Sequence, residues 1–352
     1  MKNLKTCILA AALLLMTAPA ALASDVAGAY EGLWTSGNAL MRIEATEDGT
    51  FRVNIAQDSS TAEHVEWYYK EAAYDEIADE LNTFEIGVKT RTVYGRYIEE
   101  PETEEEFSDG AAGFKLNEEG DMVFTDCKEA PGTEVVFHRA EASPEWVAAL
   151  PEAQDESVNQ LFVVAAMGMD LTTATISMHE RDADGQWKQI LSTPGYVGKK
   201  GLCADEDHAE GCAQTPVGTY HFNKAFGIAP DPGCAIPYVQ VTDDTYWSGD
   251  QREGMHYNEM VDINDFPDLD MENSEHIVYY ENEYQYCLNI SFNEEGTAGR
   301  GSAIFLHCLG ARKPYTGGCV AIPENIMRIV MQCVDPGCTV VIDTLENLGG
   351  SL

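Results

Sequence analysis

Residues 301–323, GSAIFLHCLGARKPYTGGCVAIP, carry the pattern that decides how the whole chain is interpreted. The apolar run Ser302–Leu306 suits a buried strand that ends at His307. Thr316-Gly317-Gly318-Cys319 comes next, after eight intervening residues, and is followed by a second apolar run, Val320–Ile322. The stretch therefore predicts a buried strand that delivers His307 at its end, and a loop in which two glycines precede Cys319.

The residue types at the end of this strand and in the following loop point to nucleophilic chemistry. Two glycines directly before Cys319 allow the backbone to turn tightly and to approach a ligand without an intervening Cβ. The N–H groups of Gly318 and Cys319 are predicted to form an oxyanion hole. Because the thiolate is the nucleophilic form of cysteine, it needs a nearby imidazole, which His307 supplies. We therefore predict that Cys319 and His307 are catalytic.

The rest of the chain is also mainly β in its pattern. Residues 25–140 show short alternating runs separated by turns, which predicts a small antiparallel β domain. From Gln160 onward, longer apolar runs predict further strands, one of them at Ile277–Tyr280. A late α-helix is predicted to begin at Pro323 and to stop at Asp335-Pro336-Gly337.

The stretch 301–323 resembles the catalytic motif of the L,D-transpeptidase (YkuD-like) family, in which a histidine precedes Ser/Thr-x-Gly-Cys. The residues that match this motif are His307, Thr316, Gly318 and Cys319. Residues 214–220, QTPVGTY, resemble the T-P-x-G-x-[FY] stretch that enters a core strand of the same domain. The resemblance implies a β-rich catalytic domain over residues 160–343, with Tyr315, Thr316 and Gly317 as a substrate loop.

The sequence departs from the family pattern beside the nucleophile. The family usually has a second histidine directly before the Gly-Cys, and Gly317 stands there in this chain. It often has an arginine shortly after the cysteine, where this chain has Val320-Ala321. The departures leave chemistry at Cys319 intact, but they leave the acceptor open.

The resemblance implies that Cys319 attacks the carbonyl of the L-centre in a peptidoglycan peptide stem and forms a thioester. An amine acceptor would give an L,D-transpeptidase that cross-links stems, which is the function predicted. Water as acceptor would give an L,D-carboxypeptidase that trims tetrapeptides to tripeptides. A non-catalytic cell-wall binding module, with Cys319 paired to Cys308 or Cys287, is the third alternative. No cofactor is expected.

The first residues predict export. Lys2 and Lys5 precede an apolar run, Ile8–Met16, and Ala21-Leu22-Ala23 resembles a signal-peptide cleavage site. The run is too short to span a bilayer comfortably, and no later stretch is apolar enough. We expect a cleaved signal peptide over residues 1–23 and a secreted, extracytoplasmic protein, with a retained N-terminal anchor as the alternative.

The chain is long enough for two cores. The predicted segments are a signal peptide over 1–23, an antiparallel β domain of unknown role over 25–140, a linker over 141–159, the L,D-transpeptidase-like domain over 160–343 and a tail over 344–352. The linker could instead be a helix packed against the second domain. With 21 basic against 60 acidic residues, a net charge of −39 argues against nucleic acid as a partner.

The cysteine count adds a constraint. Of ten cysteines, Cys7 lies in the predicted signal peptide, so an odd number remains in a compartment that permits disulfides. Cys203–Cys212 and Cys333–Cys338 are predicted as local disulfides. The pairing among the other five cysteines stays open, and Cys234–Cys308 is one possible disulfide among them. Cys203, His208 and Cys212 could together hold a metal, but their acidic loop context resembles a stapled hairpin more closely. No metal site is therefore predicted.

Overall fold

The computed structural model describes residues 26–36, 39–60, 63–93, 102–129, 133–182, 184–310 and 313–351. The predicted signal peptide lies outside these residues. The chain divides into two compact units, with the boundary between Ala140 and Glu141. Strands make up 47% of the structure and helices 10%, which confirms the prediction of a mainly β chain.

The first unit is a closed barrel of eight strands. They are β1 (Gly32–Ser36), β2 (Ala39–Ala45), β3 (Phe51–Ser60), β4 (Glu63–Asp75), β5 (Glu80–Val93), β6 (Glu102–Leu116), β7 (Met122–Asp126) and β8 (Val135–Arg139). Each strand pairs antiparallel with the next, and β8 returns to β1, where Trp34 lies opposite Arg139.

Buried aromatic side chains fill the barrel. The Tyr69 ring lies edge-on to Phe114, with ring centroids 5.6 Å apart. Gly87 makes room for Tyr69, because a Cβ at this position would lie 2.3 Å from the tyrosine ring. The alternating pattern in the sequence of residues 25–140 therefore arises because apolar, often aromatic, side chains point into the barrel and polar side chains point outward.

The second unit contains a nine-stranded sheet and two small sheets. Its strands are β9 (Gln160–Ala166), β10 (Thr173–Arg181), β11 (Trp187–Tyr196), β12 (Leu202–Cys203), β13 (Thr215–Pro216), β14 (Gly218–Gly227), β15 (Tyr238–Gln240), β16 (Thr245–Trp247), β17 (Met260–Asp262), β18 (Glu275–His276), β19 (Cys287–Ile290), β20 (Phe305–Cys308), β21 (Val320–Ile322) and β22 (Thr339–Thr344). The large sheet runs in the order β15-β14-β19-β20-β21-β11-β10-β9-β22, and β22 also pairs with β14. The sheet therefore closes on itself.

Two short helices occupy the segment predicted to be a linker. They are α1 (Glu145–Ala148) and α2 (Pro151–Gln154), and they belong to the second unit. Val147, Leu150 and Ala153 are buried against strand residues of the large sheet. Burial of these apolar side chains holds the segment in place, so the structure replaces the linker with the alternative of helices packed on the second domain.

The late helix α3 spans Glu324–Cys333, and Pro323 is its N-cap residue. This agrees with the predicted start, and the helix ends before Asp335 as predicted. The predicted strand Ile277–Tyr280 is wrong, because a 3-10 helix occupies Ile277–Tyr279. Ile277 packs into the core while Tyr279 is exposed, an arrangement that a single turn provides. No helix in the described part of the chain is long and apolar enough to cross a membrane.

Candidate active site

Two neighbouring parallel strands bring His307 and Cys319 to the same face of the large sheet. β20 pairs with β21, and His307 lies opposite Ala321. Cys319 directly precedes β21, so it lies beside Phe305, whose N–H donates to Cys319 Sγ at 3.3 Å. Side chains alternate along a strand, so those of Phe305 and His307 lie on one face of the sheet. Their neighbours across the pairing, Cys319 and Ala321, lie on that same face. The sequence prediction that these residues meet is consistent with this register.

The imidazole of His307 is buried and oriented by its own backbone. Nδ1 lies 2.8 Å from the carbonyl oxygen of Cys308, so Nδ1–H donates and Nε2 is left as the proton acceptor. The ring packs edge-on to Tyr284, with centroids 5.4 Å apart. Burial lowers the pKa of His307 to about 4, although the Cys308 carbonyl favours the protonated form. His307 is therefore a neutral base at pH 7, and the group that orients it is a backbone carbonyl.

Cys319 is also buried, at 6% exposure. Its thiol donates to the carbonyl oxygen of Ala303 at 3.1 Å. Burial raises the pKa of the Cys319 thiol far above its ordinary range, and the nearby Glu275 carboxyl adds to the effect. The resting pair is therefore a thiol and a neutral imidazole, and the thiolate has to form as the substrate carbonyl is attacked.

Hydroxyl groups hold the glycine turn before the nucleophile. Thr316 Oγ1 donates to the Cys319 carbonyl at 2.6 Å, and Thr215 Oγ1 donates to the Gly318 carbonyl at 2.7 Å. Gly318 has φ +151°, and a Cβ on it would lie 3.0 Å from the carbonyl oxygen of Gln214. Thr215 belongs to the QTPVGTY stretch, so the two motifs meet at the nucleophile turn.

The structure corrects the predicted oxyanion hole at one of its two amides. The Gly318 N–H donates to Thr316 Oγ1 at 3.1 Å and is therefore already used inside the turn. The Cys319 N–H donates to no carbonyl among the loop hydrogen bonds of the described residues. Of the two predicted donors, only the Cys319 amide remains available for an oxyanion.

A cavity of about 720 Å³ opens over the pair. His307 and Cys319 lie in its wall, together with the predicted substrate loop Tyr315, Thr316 and Gly317. Lys199 reaches over the Tyr315 ring at 5.5 Å from its centroid, which fixes one rim of the opening. The cavity is large enough to admit an extended peptide segment beside the nucleophile.

Two cavity residues were missed by the sequence interpretation. Tyr284 OH donates to Glu275 Oε2 at 2.7 Å, and both side chains lie close enough to Cys319 to influence its ionisation. Burial raises the pKa of Glu275 to about 7, although the Tyr284 hydroxyl favours the carboxylate. The local sequence does not distinguish Glu275 from the other acidic residues, of which the chain has 60 together with it. The residues that follow it favour a strand, which gives no indication of a cavity.

The comparison with family models identifies this unit. The model of the L,D-transpeptidase catalytic domain (YkuD) matches residues 170–342, which contain His307, Cys319 and the whole turn between them. The second unit holds an L,D-transpeptidase catalytic domain. The predicted family is thereby confirmed, although the match begins after β9 rather than at Gln160. No curated protein and no solved structure matches the chain.

In this L,D-transpeptidase domain, the position usually taken by the family's second histidine is open. A Cβ at Gly317 would meet nothing within 4 Å, so the missing side chain leaves free space at the edge of the cavity. Among the described residues that line the cavity, His307 and His208 are the histidines. Both ring nitrogens of His208 lie at backbone carbonyls, whereas His307 lies on the strand that pairs with β21.

Among the cysteines predicted to form disulfides, Cys203, Cys212, Cys234, Cys308 and Cys338 are thiols in the structure. Cys308 is buried and donates to the Tyr286 carbonyl at 3.7 Å, so it is not bridged to Cys234. Cys338 is buried, and its thiol donates to the Thr339 carbonyl at 3.9 Å. Cys203 and Cys212 lie within hydrogen-bonding reach of each other as separate thiols.

Cys319 is likewise a thiol, so it pairs with neither Cys287 nor Cys308. This removes the arrangement on which the reading as a binding module rested.

Proposed function

We propose that this chain is an exported peptidoglycan L,D-transpeptidase that cross-links peptide stems through a thioester on Cys319. The support comes from one observation above all. A neutral imidazole and an unbridged thiol share one face of paired strands in the wall of a cavity, within an L,D-transpeptidase catalytic domain.

The acylation half-reaction follows from the orientation of His307. Nε2 takes the proton of the Cys319 thiol while sulfur bonds to the carbonyl carbon of the L-centre. The oxyanion forms beside the Cys319 N–H. The bond to the terminal D-amino acid then breaks, His307 returns the proton to the leaving amine, and a thioester remains. A base whose pKa lies near 4 returns this proton readily, which favours collapse toward the thioester.

The second half-reaction depends on what enters the cavity. An amine of a neighbouring stem is a cation in water, and the cavity wall contains the carboxyl groups of Glu210, Glu275 and Glu283. These groups attract the ammonium form, and Glu275, with its pKa near 7, suits the role of accepting its proton. The wall also contains the ammonium groups of Lys199 and Lys313, so the carboxyl groups exceed them by one, and this excess supports an amine acceptor over water.

The test is incubation of the mature protein with tetrapeptide-stem muropeptides, followed by mass analysis of the products. Cross-linked dimers, together with free terminal D-amino acid, are expected. Tripeptides without dimers would replace transpeptidation with carboxypeptidase activity. No product, from a folded protein whose Cys319 resists acylation by a carbapenem, would overturn the enzymatic proposal.

Two variants make this test specific. Cys319→Ala should abolish both dimers and trimmed stems. Cys234→Ala removes another thiol, one that is not among the residues lining the cavity, and should leave product formation unchanged. An equal loss in both variants would show that the assay reports folding rather than chemistry at Cys319.

Export is part of the proposal because peptidoglycan stems lie outside the cytoplasm. It rests on the pattern of residues 1–23. N-terminal sequencing of protein recovered outside the cytoplasm should begin at Ser24. Recovery of the full-length chain in the membrane fraction would favour the retained anchor instead.

A further inference from the structure

A second set of chemically active side chains lies beside the active site and plays no part in the proposed reaction. The ligand atoms of Cys203, His208 and Cys212 all lie within 4.8 Å of one another. The loop that carries them is closed at its base, where β12 pairs in parallel with β13. Two sulfurs and one imidazole are the donor set that zinc prefers in proteins.

The orientation of the His208 ring is fixed on three sides. Nδ1 lies 2.8 Å from the Arg300 carbonyl, and the ring packs against Phe292 with centroids 4.5 Å apart. Gly301 has φ +119°, and a Cβ there would lie 2.5 Å from the ring. A backbone carbonyl that accepts from one imidazole nitrogen is the usual partner of a metal-binding histidine. With Nδ1–H donating to Arg300, a neutral ring presents the Nε2 lone pair.

A carbonyl oxygen and a sulfur lie close to the other ring nitrogen. Nε2 of His208 lies 3.0 Å from the Gln214 carbonyl oxygen, which in turn lies 3.9 Å from Cys212 Sγ. A cation placed among the nitrogen, the oxygen and the sulfurs would satisfy all of them at once.

We propose that Cys203 Sγ, His208 Nε2 and Cys212 Sγ bind one thiophilic divalent ion of the zinc class, with the Gln214 carbonyl as the fourth ligand. Each thiol releases its proton to solvent as the ion binds, so both sulfurs coordinate as thiolates. Tetrahedral coordination at ordinary Zn–S and Zn–N lengths brings ligand atoms to about 3.5–3.8 Å from one another. The loop closes slightly around the ion.

A metal ion bound by Cys203, His208 and Cys212 would also stabilise the active site, whichever reaction that active site catalyses. Gln214 directly precedes Thr215, whose hydroxyl holds the Gly318 carbonyl. His208 and Cys212 also line the cavity that contains Cys319. The ion would therefore brace the cavity wall that supports the nucleophile turn, which is a positioning role.

Two other states compete with metal binding. A Cys203–Cys212 disulfide, the pairing that the sequence predicts, would consume both sulfurs and needs an external oxidant. A doubly protonated His208 would donate to both carbonyls and could not coordinate a metal. The experiment has to separate these states from metal binding.

The experiment uses the mature chain with Cys319→Ala, so that the catalytic thiol cannot bind metal. Protein recovered without chelators is analysed for zinc and, unreduced, for mass. Zinc at one ion per chain is expected, and Co²⁺ exchanged into the site should show thiolate-to-cobalt charge-transfer absorption. A chain without zinc whose unreduced mass is two hydrogens lower, with linked Cys203 and Cys212 peptides, would overturn the proposal.

Ligand variants in the same background give the second measurement. Cys212→Ser and His208→Gln should each weaken Co²⁺ binding by about a hundredfold or more, since each removes a direct ligand. Cys234→Ser is the matched control and should bind as the parent does. Circular dichroism confirms that each variant is folded. Unchanged Co²⁺ affinity in folded His208→Gln would refute the site, because a doubly protonated ring contributes nothing to binding.

Discussion

The buried carboxyl of Glu275 predicts a pH-dependent gain in stability on substitution by glutamine. Glutamine has nearly the same shape and keeps an oxygen to accept from Tyr284, whose hydroxyl lies 2.7 Å from the carboxyl. In the unfolded chain the ordinary pKa of this carboxyl is 4.5, and burial raises it to about 7 in the folded protein. The folded protein therefore holds a proton that the unfolded chain has already released between these two values.

The sign and size of the effect follow from this difference. Since the folded state binds more protons between pH 4.5 and 7, the stability contributed by Glu275 is complete below pH 4.5 and is lost as the pH rises through 7. At 1.36 kcal/mol per pKa unit, the loss is about 3 kcal/mol. Glu275→Gln does not ionise, so its stability relative to the parent should rise by about this amount from pH 4.5 to pH 8.

The assay is urea-induced unfolding of the second unit, followed by pulse proteolysis at pH 4.5 and pH 8. Tyr284→Phe provides the matched comparison, because it removes a hydroxyl that favours the carboxylate and should steepen the pH dependence. If Glu275→Gln changes stability equally at both pH values, the carboxyl is not ionising in a buried site and the assignment of Glu275 as proton acceptor fails.

Four further outcomes test the nucleophile and its supports. Gly318→Ala should lower the unfolding free energy by about 1–3 kcal/mol, as expected for backbone strain, whereas Gly317→Ala should leave the urea midpoint unchanged because its Cβ meets open space. Thr215→Val should lower kcat/KM for stem cleavage by about 100-fold through misplacement of the turn, and unchanged kinetics would contradict the role of its hydroxyl. Because the pKa of His307 is about 4, the acylation rate should stay level as the pH falls below 6.5 and decline only near pH 4; a decline centred at 6.5 would show an exposed imidazole. Because burial raises the pKa of Cys319, iodoacetamide should modify it more slowly than free cysteine at pH 7, and a faster reaction would indicate a resting thiolate.

The position of His307 at the end of a strand could be predicted from the sequence because the apolar run before it is local. His307 ends one strand, Cys319 begins the approach to the next, and the two strands pair directly. Both residues and the two strands that place them side by side therefore lie within one short segment. The late helix was predictable for a similar reason, since Pro323 and the residues after Cys333 mark its ends without help from distant contacts.

Glu275 and Tyr284 illustrate what local pattern does not provide. The β-branched and aromatic residues of Ile277–Tyr280 favour a strand, but packing of Ile277 into the core selects a 3-10 turn instead. Glu275 precedes this turn and Tyr284 follows it, and both side chains line the cavity. Ile277 and Tyr284 pack in a core cluster with residues that are distant in sequence, which a local pattern does not show. The Gly318 N–H was predicted to bind an oxyanion, but it donates to the Thr316 hydroxyl instead. This short-range hydrogen bond depends on the orientation of the Thr316 side chain, which the sequence does not specify.

The parallel pairing of β22 with β9 joins the first and the last strand described in the second unit. Thr339–Thr344 lies alongside Leu161–Ala166, and β22 also closes the sheet against β14. Contacts this far apart in sequence form late and slowly during folding. A chain emerging from synthesis cannot complete this sheet until residue 344 is free. The surroundings that bury Cys319 and set its pKa are thus complete only once this last strand has been synthesised.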